Sequence, residues 1–294
     1  MTVVTPPAST ARRQEADLPR VSLAGVGYGG EDVAVPVARY LPQQIGRASA
    51  ASKANPLLVF LHEGLGCVDM WRGFPQDVSQ ALGVECVAFS RPGYGYATPR
   101  PPQEQWPVDF MWHQAKVVLP AFLRACGVDP STRDVWLVGH SDGASIALCA
   151  AADADAPHTY AGVVAMSPHL FVESITLASI HAARAAFDAG PLATRLAKFH
   201  PNPASAFEGW AGVWLRPEFA SWNMSPDMAA LAVPILAVQG LKDPYGTVAQ
   251  VDALRQAALH ASRFETLLIP EGGHDPHRDA PQQVIALMRD WVLV

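Results

Sequence analysis

The sequence lacks an apolar run long enough to span a membrane. Residues 1–20 are rich in Thr, Ala, Pro and charged residues and lack the apolar core of a signal peptide, so we expect a loose N-terminal arm there. The four cysteines show none of the spacings typical of disulfide frameworks or zinc sites. This cysteine pattern favours the reducing environment of the cytoplasm. The cysteines are Cys67, Cys86, Cys126 and Cys149.

Clusters of basic residues are also missing. The net charge is −6, and the lysines and arginines are scattered along the chain, so nucleic acid is not an expected partner. His274 and His277 have the spacing of a metal-binding pair, but no third ligand accompanies them at a suitable spacing. We therefore expect neither a metal nor another cofactor, and no membrane partner. The expected partner is a small-molecule substrate, and a homodimer remains open.

Apolar segments of strand length alternate with helical segments along most of the chain. Several of these segments are apolar throughout, which is typical of strands buried on both faces of a sheet. The alternation predicts an α/β fold, with a mainly parallel sheet and helices on both of its faces. Strands are predicted at residues 33–40, 56–61, 84–90, 135–138, 159–166, 233–240 and 264–270, and an earlier strand begins at residue 21 to form an antiparallel edge hairpin. Helices are predicted at residues 70–82, 106–126, which Pro120 should interrupt, and 281–291.

One segment breaks this alternation. Residues 173–199 are alanine-rich and have helical periodicity, and no strand is predicted between residues 166 and 233. We interpret residues 169–230 as a helical cap inserted over the carboxyl edge of the sheet. The core of the fold then consists of residues 21–168 and 231–294.

A serine lies in a Gly-x-Ser-x-Gly pattern at the end of the strand predicted over residues 135–138. Gly139 and Gly143 flank Ser141 at a distance of two residues, where bulky side chains would clash in a sharp strand-to-helix turn. A serine hydroxyl is almost never ionised at neutral pH and must be activated before it can act as a nucleophile. The sharp turn contributes to this by pointing the hydroxyl away from the sheet. Asp142 begins the following helix, and its backbone N–H can therefore face a developing oxyanion. The pattern therefore predicts that Ser141 is a nucleophile.

A serine nucleophile needs a base and a carboxylate that orients the base. Asp243 follows one predicted strand and His274 follows another, and the carboxyl ends of parallel strands meet at one edge of a sheet. We therefore predict Ser141, Asp243 and His274 as the catalytic residues. The alternatives are His277 as base, Glu173 as acid, and a helix-capping role for Asp243.

The loop after the strand at residues 56–61 is a candidate oxyanion loop. Its residues 62–66 read His-Glu-Gly-Leu-Gly, and the backbone N–H of Gly64 is the second expected oxyanion donor beside Asp142. Aromatic residues of the cap indicate a hydrophobic or aromatic substrate. The candidate pocket residues are Glu63, Arg91, Trp210, Trp214, Trp222 and Tyr245.

Five segments together resemble the α/β-hydrolase fold serine hydrolases. They are residues 62–66, 90–95, 139–143, 240–247 and 272–274, and they are most similar to a bacterial subgroup with a His-Glu-Gly-Leu-Gly oxyanion loop. The resemblance extends from residue 21 to the C-terminus. It implies that Ser141 is the nucleophile, His274 the base and Asp243 the orienting acid. The family usually has glycine where this chain has Glu63, whose role is left open.

The favoured function is hydrolysis of a small carboxylic ester, thioester or lactone through an acyl-enzyme on Ser141. One alternative is a C–C bond hydrolase of ring-fission products that uses the same triad. Its substrate would need a cation for its carboxylate, such as Arg91, Arg184 or Arg195. A second alternative is a non-catalytic ligand-binding protein on a hydrolase scaffold. Dehalogenases and epoxide hydrolases of this fold need a carboxylate nucleophile, which a serine at position 141 does not provide.

Overall fold

An eight-stranded sheet runs through the protein, whose computed structural model describes residues 14–43, 56–156 and 159–293. The strand order is β1-β2-β4-β3-β5-β6-β7-β8. The first three strands in this order pair antiparallel, and all later neighbours pair parallel. The mainly parallel sheet with an antiparallel edge hairpin is therefore confirmed. The strands are β1 (Arg20–Leu23), β2 (Val33–Tyr40), β3 (Leu57–Leu61), β4 (Glu85–Phe89), β5 (Val135–His140), β6 (Gly162–Met166), β7 (Ile235–Gly240) and β8 (Phe264–Ile269).

Both faces of the central strands are buried because helices cover both sides of the sheet. Alternate side chains of β3 enter two different cores, with Val59 on one face and Phe60 on the other. Helices α1 (Phe74–Leu82) and α10 (Pro281–Val292) contribute to the core of the Phe60 face. The opposite core receives side chains from α3 (Leu119–Ala125), α4 (Asp142–Ala152) and α8 (Val248–Ala257). This arrangement explains why the strands read as continuous apolar runs in the sequence.

The helix predicted over residues 106–126 is present but divided. Helix α2 (Phe110–His113) leads into a π-turn at Gln114–Val118, and α3 follows with Pro120 in its first turn. Proline has no N–H to donate to the carbonyl four residues earlier, so the hydrogen-bonding pattern changes directly before it. The interruption predicted at Pro120 is confirmed.

The cap segment, residues 169–230, is mostly helical. It contains α5 (Ser174–Asp188), α6 (Pro191–Leu196) and α7 (Pro203–Trp214), and all of its residues are described. The helix predicted over residues 173–199 is divided at Gly190, whose φ of +98° ends α5. Within this segment the only extended pairing is an isolated bridge between Phe171 and Asn223. Apolar residues of α6 and α7 join the same core as α4, so the cap segment packs directly on the sheet domain.

Residues 14–20 differ from the loose arm expected over residues 1–20. Glu15 is buried, and its Oε1 accepts hydrogen bonds from the Ser90 hydroxyl at 2.6 Å and from the Tyr96 N–H at 2.8 Å. The Glu15 N–H donates to Asp69 Oδ2 at 3.0 Å. A charged residue can be buried when enough donors surround it, and the two donors, Ser90 and Tyr96, lie 75 and 81 positions away in the sequence. The remainder of the predicted arm lies outside the described residues.

The cysteines do not form disulfides with one another. All four are free, and Cys67, Cys86 and Cys149 are buried. In the described ranges, no helix combines the length and the apolar composition that a membrane crossing requires.

Replacing Glu15 tests whether the segment before β1 contributes to the fold. We expect Glu15→Ala to lower the free energy of unfolding by about 2 kcal/mol, because it leaves the buried donors of Ser90 and Tyr96 without an acceptor. The change is measured by urea denaturation. Asp17→Ala, an exposed substitution in the same 3₁₀ turn, is the control. Equal stabilities of the two variants would contradict the assignment.

Candidate active site

Three side chains from three strand ends form one continuous hydrogen-bonded chain. The Ser141 hydroxyl lies 2.9 Å from Nε2 of His274, and Nδ1 of His274 lies 2.9 and 2.8 Å from the two carboxylate oxygens of Asp243. Ser141 follows β5, Asp243 follows β7 and His274 follows β8. The parallel sheet therefore brings these three predicted residues together at its carboxyl edge.

Close contacts fix the turn that carries Ser141. A Cβ atom at Gly139 would lie 2.2 Å from the Gly143 carbonyl oxygen, and one at Gly143 would lie 2.0 Å from the carbonyl oxygen of Leu61. Only glycine fits at either position. Ser141 itself has φ of +54°, a conformation that residues other than glycine rarely adopt and that packing on both sides must maintain. This geometry is that of a nucleophile elbow.

Asp243 is held as an anion by a set of donors. Its Oδ1 accepts from the Tyr245 N–H at 2.7 Å, and its Oδ2 accepts from Nε2 of Gln239 at 2.9 Å. Burial alone would raise the pKa of Asp243, but the hydrogen bond and charge of His274, with these donors, lower the pKa to about 2. The carboxylate therefore accepts the Nδ1–H of His274, which leaves the Nε2 lone pair to accept the hydroxyl proton of Ser141.

The observed contacts do not match the three alternatives, namely Glu173 as the acid, Asp243 as a helix cap and His277 as the base. The Glu173 carboxylate accepts hydrogen bonds from Thr247 and Gln250. Thr247, rather than Asp243, caps α8, because its side chain accepts from the Ala249 N–H. His277 contacts aromatic rings beneath the sheet edge, whereas His274 bonds to Ser141.

The loop at residues 62–66 is held in place by Arg91. The Arg91 guanidinium donates to the carbonyls of His62 at 3.3 Å and Glu63 at 2.9 Å, and the Arg91 N–H donates to Nε2 of His62 at 3.0 Å. Burial and the neighbouring Arg91 keep the pKa of His62 well below its usual value, so its ring is neutral and can accept this bond. Arg91 is completely buried in this role. The expectation that Arg91 belongs to the substrate pocket is therefore wrong.

The two expected oxyanion donors lie at this site. Gly64 borders the cavity beside Ser141, and Asp142 begins α4 directly after Ser141. Among the described residues, neither backbone N–H has a hydrogen-bond acceptor. The Asp142 carboxyl is buried and accepts from Nε1 of Trp214 at 3.2 Å, and burial raises its pKa to about 6.

A cavity of about 100 Å³ lies over Ser141 and His274. Four of the predicted pocket residues line it, namely Glu63, Trp210, Trp214 and Tyr245. Trp222 does not line it, because its ring packs against Trp214 and Phe219 instead. Its expected place in the pocket is a second correction.

Sequence reasoning missed several lining residues. His169 follows β6 at the same sheet edge as Asp243 and His274, so the rule that located those two residues could also have located it. Thr176 and Ile180 are four residues apart on α5, and both are buried while Ile175 is exposed. Helical periodicity identifies their buried face, but not what it covers.

His200 connects the cap segment to two loops of the core. Its Nδ1 accepts from the Gly95 N–H at 2.8 Å, and its Nε2–H donates to the carbonyl of Leu65 at 3.0 Å. Burial lowers the pKa of His200, which favours the neutral ring that this pair of bonds requires. The cap is thereby tied to the loop that contains Gly64.

Comparison with known proteins places this geometry in a family. The model of the Alpha/beta hydrolase family matches residues 58–287, which include Ser141, Asp243 and His274. The chain belongs to the alpha/beta hydrolase family. No curated protein matches the chain.

Solved structures share the fold of this alpha/beta hydrolase at low sequence identity. A thermophilic esterase from Thermogutta terrifontis is 18% identical, with a TM-score of 0.64 over 94% of this chain and 100% of the esterase. A proline iminopeptidase from Mycobacterium smegmatis is 16% identical, with a TM-score of 0.63 over 93% of this chain and 97% of the peptidase. A meta-cleavage product hydrolase from Pseudomonas fluorescens is 15% identical, with a TM-score of 0.65 over 94% and 98% of the two chains. The α/β-hydrolase fold class is therefore confirmed, and these neighbours differ in their reactions.

Buried histidines make the stability of this hydrolase sensitive to acid. Burial lowers the pKa of four histidines, and it lowers the pKa of His169 to about 3. In the unfolded chain the pKa of each histidine returns to about 6.5. The unfolded state then binds more protons, so their contribution is complete above about pH 6.5 and is lost as the pH falls. Asp142 and Glu104, whose pKa values are raised, contribute with the opposite sign below about pH 6, and His140, whose pKa is also raised, does so mainly above pH 6.5. Between pH 6.5 and pH 5 the four histidines therefore outnumber the opposing groups. The four are His62, His169, His200 and His277.

We therefore expect the melting temperature to fall steadily between pH 7 and pH 5, as measured by calorimetry. His169→Gln should make this dependence shallower, whereas His181→Gln, a substitution at an exposed position, should leave it unchanged. A melting temperature that stays constant over this range would contradict the expectation.

Proposed function

We propose that this hydrolase cleaves a small carboxylic ester, thioester or lactone through an acyl-enzyme on Ser141. The observation that carries the proposal is the continuous chain from the Ser141 hydroxyl through His274 to Asp243, with donor–acceptor distances of 2.8 to 2.9 Å. A preformed chain of this kind also argues against the non-catalytic alternative, because a binding protein has no need of it.

The proposed reaction follows from these positions. The Ser141 oxygen attacks the substrate carbonyl carbon while its proton passes to Nε2 of His274, and the Asp243 carboxylate stabilises the imidazolium. The N–H groups of Gly64 and Asp142 bind the oxyanion. The intermediate collapses, the leaving group takes the proton from His274, and the acyl group stays on Ser141. A water molecule then attacks the acyl-enzyme with His274 as base, which releases the acid and restores the serine.

The size of the cavity supports a short acyl group. Its volume of about 100 Å³ is below the ~300–1,000 Å³ common for sites of drug-sized ligands. Trp210, Trp214 and Ile180 supply apolar walls. These features favour a neutral, compact substrate group such as an acetyl or butyryl ester.

The charges around the cavity disfavour the C–C hydrolase alternative, whose substrates carry a carboxylate. Among the described residues, no lysine or arginine lines the cavity, and Glu63 does. Arg91 is bonded to the oxyanion loop, Arg184 pairs with Glu208 at 2.5 and 2.8 Å, and Arg195 is exposed outside the cavity lining. None of the three candidate cations reaches the cavity.

The nucleophile is tested by Ser141→Ala. Hydrolysis of p-nitrophenyl acetate should fall about 10³-fold or more in kcat, because the hydroxyl forms the acyl-enzyme. A fluorophosphonate probe should label the wild-type protein and not the variant. Ser221→Ala, at an exposed position of the cap, should behave like the wild type. Substantial activity in a folded Ser141→Ala protein would remove Ser141 from the mechanism.

The acyl pocket is tested by Ile180→Ala. Shortening this buried side chain enlarges the cavity, so kcat/KM for p-nitrophenyl hexanoate relative to the acetate should rise about tenfold. Ile175→Ala makes the same change on the exposed side of α5 and should leave the ratio within twofold. If both variants keep the wild-type ratio, the cavity is not the acyl pocket.

A further inference from the structure

His140 lies where three loops of the site meet. It directly precedes Ser141 and is completely buried. Its Nδ1 is 3.4 Å from Oε2 of Glu63, and its Nε2 donates to the backbone carbonyl of His274 at 2.6 Å. One ring therefore joins the oxyanion loop, the nucleophile turn and the loop of the histidine base.

Both ring nitrogens of His140 face oxygen acceptors. A neutral imidazole has one nitrogen without hydrogen, and here that lone pair would point at an oxygen lone pair. With Glu63 ionised, the geometry therefore requires an imidazolium, paired with the Glu63 carboxylate. Burial alone would lower the pKa of His140, but the hydrogen bond and charge of Glu63 outweigh burial and raise it. Conversely, His140 holds the pKa of Glu63 far below its usual value, although burial acts to raise it.

The other ionisable groups around His140 are compatible with this charge. Oδ1 of Asp275 lies 3.8 Å from Nε2 and adds a second carboxylate. The rings of His277 and His274 lie with centroids 4.9 and 5.0 Å from the His140 ring. Burial and then the charge of His140 keep the pKa of His277 well below its usual value, so His277 is neutral.

The same geometry argues against a metal ion at this cluster. Ligand atoms of His140, Asp275 and His277 lie within 4.8 Å of one another, a spacing that could hold a metal. A metal ligand must offer a lone pair, and both nitrogens of His140 are directed at acceptors as N–H donors. The cluster is better described as a hydrogen-bonded ion pair.

The position of His274 depends on its backbone as well as on its ring. Asp243 orients the ring, and the carbonyl of His274 accepts from both His140 Nε2 and the Ser167 hydroxyl, the latter at 3.1 Å. His140 is the last residue of β5, and Ser167 directly follows the neighbouring strand β6. A Cβ atom at Gly66 would lie 2.4 Å from Oε2 of Glu63, so the last glycine of the loop makes room for this carboxylate.

We propose that Glu63, at the cavity wall, and the buried His140 form an ion pair that positions His274 through its backbone carbonyl. Glu63 and His140 are positioning residues, and this role rests on the proposed function of His274 as base.

The protonation state of His140 can be measured without reference to activity. In ¹⁵N-histidine-labelled wild-type protein at pH 7.5, long-range ¹H–¹⁵N spectra should show protons on both ring nitrogens of His140, whose signals are assigned by their loss in His140→Gln. Glu63→Gln should remove the proton from Nδ1, because the compensating charge is lost. Glu271→Gln, an exposed change of the same kind, should leave both protons in place. A neutral His140 in the wild type would overturn the proposal even if Ser141 proves essential.

Kinetics test the positioning role. Glu63→Gln should lower kcat for p-nitrophenyl acetate about 10- to 100-fold, by analogy with the loss of residues that orient metal ligands, with KM changed less than threefold. The double variant Glu63→Gln/His140→Gln should lose no more activity than the less active of the two single variants, since the two residues act as a unit. Glu271→Gln is again the control.

The kinetic outcomes separate this proposal from the proposed function. An inactive Ser141→Ala together with an unchanged kcat in Glu63→Gln would overturn only the positioning role. Full activity in Ser141→Ala would overturn the proposed function itself.

Discussion

The close approach of two backbone segments governs the geometry of this site. The turn between β5 and α4 presses against the end of β3, so that only a hydrogen atom fits between Gly143 and the carbonyl of Leu61. This contact holds Ser141 at its positive φ and places the loop at residues 62–66, which directly follows Leu61, beside Ser141. A parallel sheet makes the approach possible, because neighbouring strands deliver their carboxyl ends to one edge. The Ser141 hydroxyl, the His274 ring and the loop at residues 62–66 therefore lie close together.

Residues at strand ends were the most predictable part of the molecule. The apolar runs before Ser141 and Asp243 mark strands buried on both faces, and the run before His274 marks the partly exposed strand at the sheet edge. Because the carboxyl ends of parallel strands meet at one edge, these runs place all three residues together without any knowledge of side-chain contacts. The Pro120 interruption was predictable for the same reason, since it depends on the local chain alone. In each case the local pattern and the overall fold agree, which is typical of evolved sequences.

The errors concern side chains whose partners are distant in the sequence. The sequence predicts Arg91 in the pocket, but its buried guanidinium instead donates to the carbonyls of His62 and Glu63. Glu15 can be buried because Ser90 and Tyr96 donate hydrogen bonds to its carboxylate. No pattern within residues 1–20 predicts these two donors. Trp222 stacks on Phe219 instead of lining the cavity, a choice that depends on how the cap helices cross. Such outcomes depend on loop paths, which periodicity does not encode.

The bonds of His200 have a consequence for how the site opens. The cap is fastened to the carbonyl of Leu65, the residue that follows Gly64, and to the backbone of Gly95. A movement that lifted this part of the cap would break the bond to Leu65 and loosen the neighbouring peptide. Opening of the site by that route would therefore make the loop at residues 62–66 less rigid, and closure would restore its rigidity. The candidate site would then be complete only while the His200 bond to Leu65 is intact.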